Sequence, residues 1–152
     1  MQHRTLDQLG PVANVVAAAA ESGRLLRRRR LERLAEILES HPEPLQLFRD
    51  IEYIPATGRP SLRQDGSPFS VAFQDPLLRG QGLAGDTIGE AMTFFDLSWH
   101  ETHYLVCYCH YGNQARSGAV AERVRHLASQ RSWAERWDAF RTAIAARFAR
   151  AS

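Results

Sequence analysis

The chain contains no lysine, all 19 of its basic residues being arginine. P-loop NTPases, protein kinases, Schiff-base enzymes and Ser-Lys hydrolases each depend on a lysine amine, so these classes are excluded. Cysteine is scarce as well, with Cys107 and Cys109 the only two in 152 residues. Two positions apart, they are too close to close a useful loop and too few for a secreted disulfide framework, which points to reduced thiols in a cytoplasmic protein. No apolar run approaches the roughly 20 residues of a membrane span, so no membrane partner is expected. The nearest approach to a targeting segment is Val12 to Ala20, which ends in small residues before Glu21. Asp7 precedes this stretch and Asn14 interrupts it, and it fits an amphipathic helix better than a signal peptide.

What remains is an ordinary globular composition, 44% apolar and 24% charged with a formal charge of +2. A chain this long buries roughly 70% of the surface its unfolded form exposes, so neither a disulfide nor a metal is needed for folding and no cofactor is implied by it. One domain over residues 1–152 is expected.

Apolar spacing and capping residues predict an all-α domain of about six or seven helices with an irregular, proline-rich middle. Leu6, Leu9, Val12, Val16 and Ala19 recur at helical spacing after a Thr5 cap, with Pro11 an expected kink or break near the start, and Gly23 marks the expected end of that helix. A second helix, Arg24 to Ser40, carries Leu31, Leu34, Ile37 and Leu38 on one face and stops at His41-Pro42-Glu43-Pro44. Six of the seven prolines fall between Pro42 and Pro76. Short helical turns are therefore expected at Leu45 to Phe48, Tyr53 to Pro55 and Gly58 to Pro60. Ser67-Pro68 is a helix start favouring Phe69 to Gln74 as helix, the alternative being a hairpin turned by Asp65-Gly66.

The second half has both caps and periods. Asp86 is placed to cap a helix through Ile88, Ala91, Met92 and Phe95, and Ser98-Trp99-His100-Glu101 is a capping box opening the next, which makes a helix hairpin. Val120, Val124 and Leu127 mark one face of a further helix. Ser132 to Glu135 repeats the capping box, and Trp133, Trp137, Phe140, Ile144 and Phe148 form an apolar stripe expected to dock the last helix on the body. The segment Ala91 to Val106 (AMTFFDLSWHETHYLV) resembles a helix hairpin in small bacterial and phage helical proteins, in which an apolar helix ends in Leu-Ser/Thr and a Glu follows three residues on. Those proteins also carry an upstream Cys-Gly motif, replaced here by SPFSVAF. The resemblance covers about a tenth of the chain and implies the hairpin without any activity.

Three patterns bear on chemistry. His100 to His110 holds three of the six histidines and both cysteines. If helical throughout, it would set His100, His103, Cys107 and His110 within an arc of about 80°, a candidate zinc or iron site. Four ligands on one helix face cannot wrap one ion, so a carboxylate or His126 must come from elsewhere. His100-Glu101-Thr102-His103 is one residue short of H-E-x-x-H, and Glu101 already serves the capping box. A catalytic thiol is disfavoured, because a helix C-terminus raises a thiol pKa.

Gly80-Gln81-Gly82-Leu83-Ala84-Gly85 matches G-x-G-x-x-G but lacks the preceding hydrophobic strand, and is read as a loop and helix cap. Arg24, Arg27, Arg28, Arg29, Arg30 and Arg33 set six arginines against three glutamates over residues 24–40, a local charge of +3. Such a run suits a solvated face, an acidic protein partner or nucleic acid. No complete acid/base or nucleophile set emerges. The sequence therefore reads as a small cytoplasmic, non-catalytic binding or regulatory protein, most compatible with a protein partner. For His100 to His110 the leading expectation is core packing with the histidines hydrogen-bonded at the rim and no bound metal; metal binding or metal-dependent catalysis there is the alternative, and arginine-mediated nucleic-acid binding the third.

Overall fold

The computed structural model describes the backbone of residues 6–112, 116–130 and 133–150, and the side chains of 22–112, 116–130 and 136–150. Seven α-helices follow in order: α1 (Leu6–Glu39), α2 (Pro68–Gln74), α3 (Pro76–Gly80), α4 (Ile88–Phe95), α5 (Trp99–Val106), α6 (Ser117–Ser129) and α7 (Trp133–Arg150). Single 3-10 turns lie at Ile51–Tyr53, Arg59–Ser61 and Tyr108–His110. The fold is all-α, and no helix among the described residues is long and apolar enough to cross a membrane.

Helix α6 lies along the second half of α1, while α2 and α4 pack on α1 and α5 on α6. Leu31, Leu34 and Leu38 of α1 meet a core shared with Val120, Val124 and Leu127 of α6, all essentially inaccessible. The opposite face of α1 is polar, which is why the period read in the sequence finds its partner here. Phe69 of α2 stacks on Phe95 of α4 at 6.5 Å and closes the other side of the core.

Gly23 does not end a helix: α1 runs unbroken for 34 residues, through Pro11 as well. A glycine costs a helix only about 1 kcal/mol, and the good helix formers on both sides of Gly23 outweigh it. The stop expected at His41-Pro42 holds. Leu45 to Phe48 is extended rather than helical, because Phe48 pairs with Cys107 in an isolated bridge: Phe48 N donates to Val106 O and Tyr108 N to Phe48 O, both at 2.8 Å. The Ser67-Pro68 start gives α2, with Ser67 Oγ accepting from Ser70 N at 3.1 Å, so the hairpin alternative falls.

Helix α4 is capped by Thr87, one residue after the expected Asp86. Asp86 is paired with Arg63, whose Nε and Nη2 reach its two carboxylate oxygens at 3.0 and 2.8 Å, while Thr87 Oγ1 accepts from Glu90 N at 3.2 Å. The Ser98 box is complete, Glu101 N donating to Ser98 Oγ at 3.1 Å and Ser98 N to Glu101 Oε2 at 2.9 Å. Ser98→Ala is expected to cost about 1 kcal/mol in a urea titration. The second box expected at Ser132 lies outside the described residues.

Among the described side chains, helix α7 leaves its stripe open: Trp137, Phe140, Ile144 and Phe148 are 39 to 74% exposed, although their spacing is that of one helix face, and Trp133 lies outside the described side chains. The four-residue period forecasts a face correctly but cannot say whether a second surface is within reach.

Gly89 is where α4 meets the Arg59–Ser61 turn. A Cβ there would lie 2.9 Å from Pro60 Cβ and 3.0 Å from Pro60 O, while the amide of neighbouring Ile88 donates to Leu62 O at 2.8 Å. Gly89→Ala must push the turn away, and thermal unfolding should show a loss of about 1–3 kcal/mol.

Candidate metal centre

The segment from His100 to His110 is not one helix. Helix α5 ends at Val106, Cys107 takes an extended conformation (φ −84°, ψ 130°), and Tyr108–His110 turns back as a 3-10 helix. The helical arc expected for four ligands is therefore broken, and the reversal brings Cys109 and His110 over the last turn of α5. The Phe48 to Cys107 pairing lays a second segment alongside, so that Glu52 of the Ile51–Tyr53 turn reaches the same point.

Donor atoms gather there in two overlapping sets that share His103, one of Glu52, His103 and Cys107 and one of His103, Cys109 and His110. Glu52 Oε2 lies 3.5 Å from His103 Nε2 and 3.8 Å from Cys107 Sγ. Cys109 Sγ lies 4.0 Å from His103 Nε2 and 2.9 Å from Cys107 Sγ. Zinc bonds of about 2.0–2.3 Å give a tetrahedron with edges of about 3.3–3.8 Å. Two of these separations, 3.5 and 3.8 Å, match such edges, Cys109 to His103 at 4.0 Å is longer, and the sulfur pair at 2.9 Å has to open by about 0.9 Å to span one. Cys107 is buried and Cys109 exposed, so Cys109 is the side that can adjust.

His110 also joins the group, its Nε2 at 2.7 Å from His103 Nδ1. With Nδ1 of His103 as donor to His110, the lone pair of His103 Nε2 is left pointing at Glu52 and the thiols. A metal-ligating histidine is usually held by such a hydrogen bond on its other nitrogen. Burial first, then His103 and Arg123, lower the pKa of His110, which keeps it neutral and able to accept. Helix α6 clamps the turn through Arg123, which donates to Tyr104 O at 3.1 Å and to His110 O and stacks on the Tyr111 ring at 3.7 Å.

The thiol of Cys107 is pushed up to about 12, by burial and then by Cys109. The first cause is burial rather than a helix dipole. The Glu52 carboxyl is held below its ordinary value by its own backbone amide, with His103 and Cys107 adding to it.

Of the residues expected from sequence, His103, Cys107 and His110 come together and His100 does not. His100 is exposed on another side of α5, facing a cavity of about 560 Å³ lined also by Tyr104, His126 and Arg136. The carboxylate that the site needed from elsewhere is Glu52, whereas His126 instead bonds Gln130 at 2.6 Å. Cys109 was in view as a cysteine but had no place on the helical arc; the end of α5 at Val106 is what brings it in.

The arginine run is divided by α1 itself. Arg27 is buried, Arg30 donates to Phe94 O at 2.8 Å, and Arg33 pairs with Asp75 at 2.9 Å. Arg28 pairs with Glu32 at the surface, and Arg24 and Arg29 are exposed. Three of the six arginines thus hold α1 to the rest of the fold. The Gly80 to Gly85 stretch spans the end of α3 and a loop, and α4 begins only at Ile88. No known protein family, curated protein or solved structure matches the chain.

Proposed function

We propose that this protein is a non-catalytic metal-binding protein whose centre is a zinc ion held by Glu52, His103, Cys107 and Cys109, with His110 as the hydrogen-bond partner of His103. The observation that carries this reading is a pair of overlapping donor sets, Glu52/His103/Cys107 and His103/Cys109/His110, that share His103 and draw on two segments about 55 positions apart in the chain. Two thiolates and an imidazole favour zinc over harder cations, and the carboxylate completes four-coordination. Four protein donors leave no open position for water or substrate, which suits a structural or regulatory centre better than a catalytic one. The regulatory role and the cytoplasmic setting inferred from composition fit such a centre, since both thiols must stay reduced to serve it.

The test is elemental analysis of the full chain purified without chelator, with zinc and iron both measured. About one zinc per chain is expected. Cobalt loaded in its place should give intense near-ultraviolet thiolate-to-metal bands that Cys109→Ser weakens. Substoichiometric metal together with absent cobalt bands would sink the reading.

Nucleic-acid binding is the weaker proposal, because Arg27, Arg30 and Arg33 are engaged inside the fold. On immobilised DNA the chain is expected to elute at low salt, and replacing Arg24, Arg28 and Arg29 by glutamine should change that little. A strong, salt-dependent retention lost in that variant would restore the nucleic-acid reading.

A further inference from the structure

The sulfur pair has a property that zinc binding does not require. Cys109 is exposed, Cys107 is buried directly behind it, and their Sγ atoms are 2.9 Å apart, about 0.9 Å more than a disulfide bond. An accessible thiol backed by a second thiol in contact is the arrangement of a redox sensor with its resolving cysteine. We propose that Cys109 is a site of oxidation by hydroperoxides, that Cys107 resolves the product to a Cys107–Cys109 disulfide, and that this oxidation releases the metal. The proposal rests on the metal-binding reading for its release step and on the sulfur geometry alone for its disulfide step.

The chemistry closes without any further reactant. Each thiol gives up its proton as it reacts, the thiolate being the nucleophilic form, so the sequence is the same with or without a bound metal. The Cys109 sulfur attacks one peroxide oxygen and the O–O bond breaks. The other oxygen leaves with the bonding pair, takes a proton and departs as alcohol, or as water when the oxidant is hydrogen peroxide. Cys107 Sγ then attacks the sulfur of the Cys109 sulfenic acid, forms the S–S bond and expels hydroxide, which a second proton converts to water. Two electrons have passed from the two sulfurs to the peroxide, and zinc keeps its oxidation state. It is left with Glu52 and His103 alone, one carboxylate and one imidazole, a set too small to retain it.

Position favours this pair over mixed disulfides. The extended Cys107 and the turn at Tyr108–His110 face the two sulfurs toward each other, and the Phe48 bridge holds Cys107 in place. Glu52 covers the far side of Cys107, which leaves Cys109 as the sulfur an oxidant meets first.

The experiment treats the full chain, loaded with zinc, with a modest excess of hydrogen peroxide beside a chelating dye, and follows intact mass in parallel. Expected are release of about one zinc per chain, a mass about 2 Da below that of the reduced protein, and recovery of zinc binding after dithiothreitol. Cys109→Ser, assayed without metal so that a weakened site does not matter, should show no loss of 2 Da. Zinc retained under peroxide, zinc released with gains of oxygen mass in place of the disulfide, or disulfide-linked dimers would each overturn the proposal. If the chain takes up no zinc at the outset, the metal reading and the release step fall together. The mass of the metal-free protein after peroxide then still decides the disulfide.

Discussion

Replacing Arg27 by alanine is expected to destabilise the protein by about 3–5 kcal/mol, the largest effect of any single arginine in the run. Its side chain is 7% exposed and ties three elements together. Nε donates to Asp96 O at 3.0 Å at the end of α4, Nη1 to Leu127 O at 3.4 Å near the end of α6, and Nη2 to Glu101 Oε1 at 3.2 Å. Glu101 is itself only 23% exposed and its other oxygen serves the Ser98 cap, so truncation strands a carboxylate and two carbonyls while opening a void under α1. Arg27→Met restores the volume without the charge, and should recover the part of the loss that belongs to the aliphatic stem. Urea titrations of both variants at constant slope would read the two contributions. A loss under about 1 kcal/mol for Arg27→Ala would show that the buried pair is compensated elsewhere.

That residue also shows where reading the chain reaches its limit. Position 27 lies in a run of four arginines, a local pattern that signifies a solvated face, yet it shares the buried face of α1 with Leu31, Leu34 and Leu38. The helical period placed those leucines correctly and, applied to Arg27, would have put it beside them. What the period does not contain is the carbonyl pair and the carboxylate that make an inward arginine tolerable, because these come from positions 69 to 100 residues away. Short-range signals fared well for the same reason: the Ser98 box and the Ser67-Pro68 start involve partners three residues apart and need nothing distant. Asp86 is paired with a distant Arg63 while Thr87 caps α4, and α7 exposes a face whose period is faultless.

The proposed metal centre follows that rule. Three of its proposed ligands lie within seven positions, and the segment that holds them stood out by composition alone. The fourth, Glu52, is placed by the Phe48 to Cys107 bridge, and nothing near Glu52 in the sequence announces it. The assumption of a continuous helix placed His100 on the site and left Cys109 off it, and the extended conformation at Cys107 reverses both.

Zinc should accordingly be the protein's largest single source of ligand-dependent stability. At a free concentration one hundred times the dissociation constant, binding to the folded state alone adds about 2.7 kcal/mol, or a rise of roughly 5–10 °C in unfolding temperature for a chain of this size. His103→Ala removes the donor that touches both halves of the site, Glu52 on one side and Cys109 on the other, and should abolish that rise. His110→Ala keeps all four donors but frees the His103 ring. Loss of such a supporting hydrogen bond typically weakens metal affinity 10- to 100-fold. The two variants therefore separate a ligand from its support: differential scanning with and without zinc should show no metal response for His103→Ala and a response for His110→Ala restored at higher zinc. An equal zinc-dependent rise in the His103 variant would remove His103 from the ligand set. If His110→Ala showed no restoration at any zinc concentration, His110 would be a ligand rather than its support.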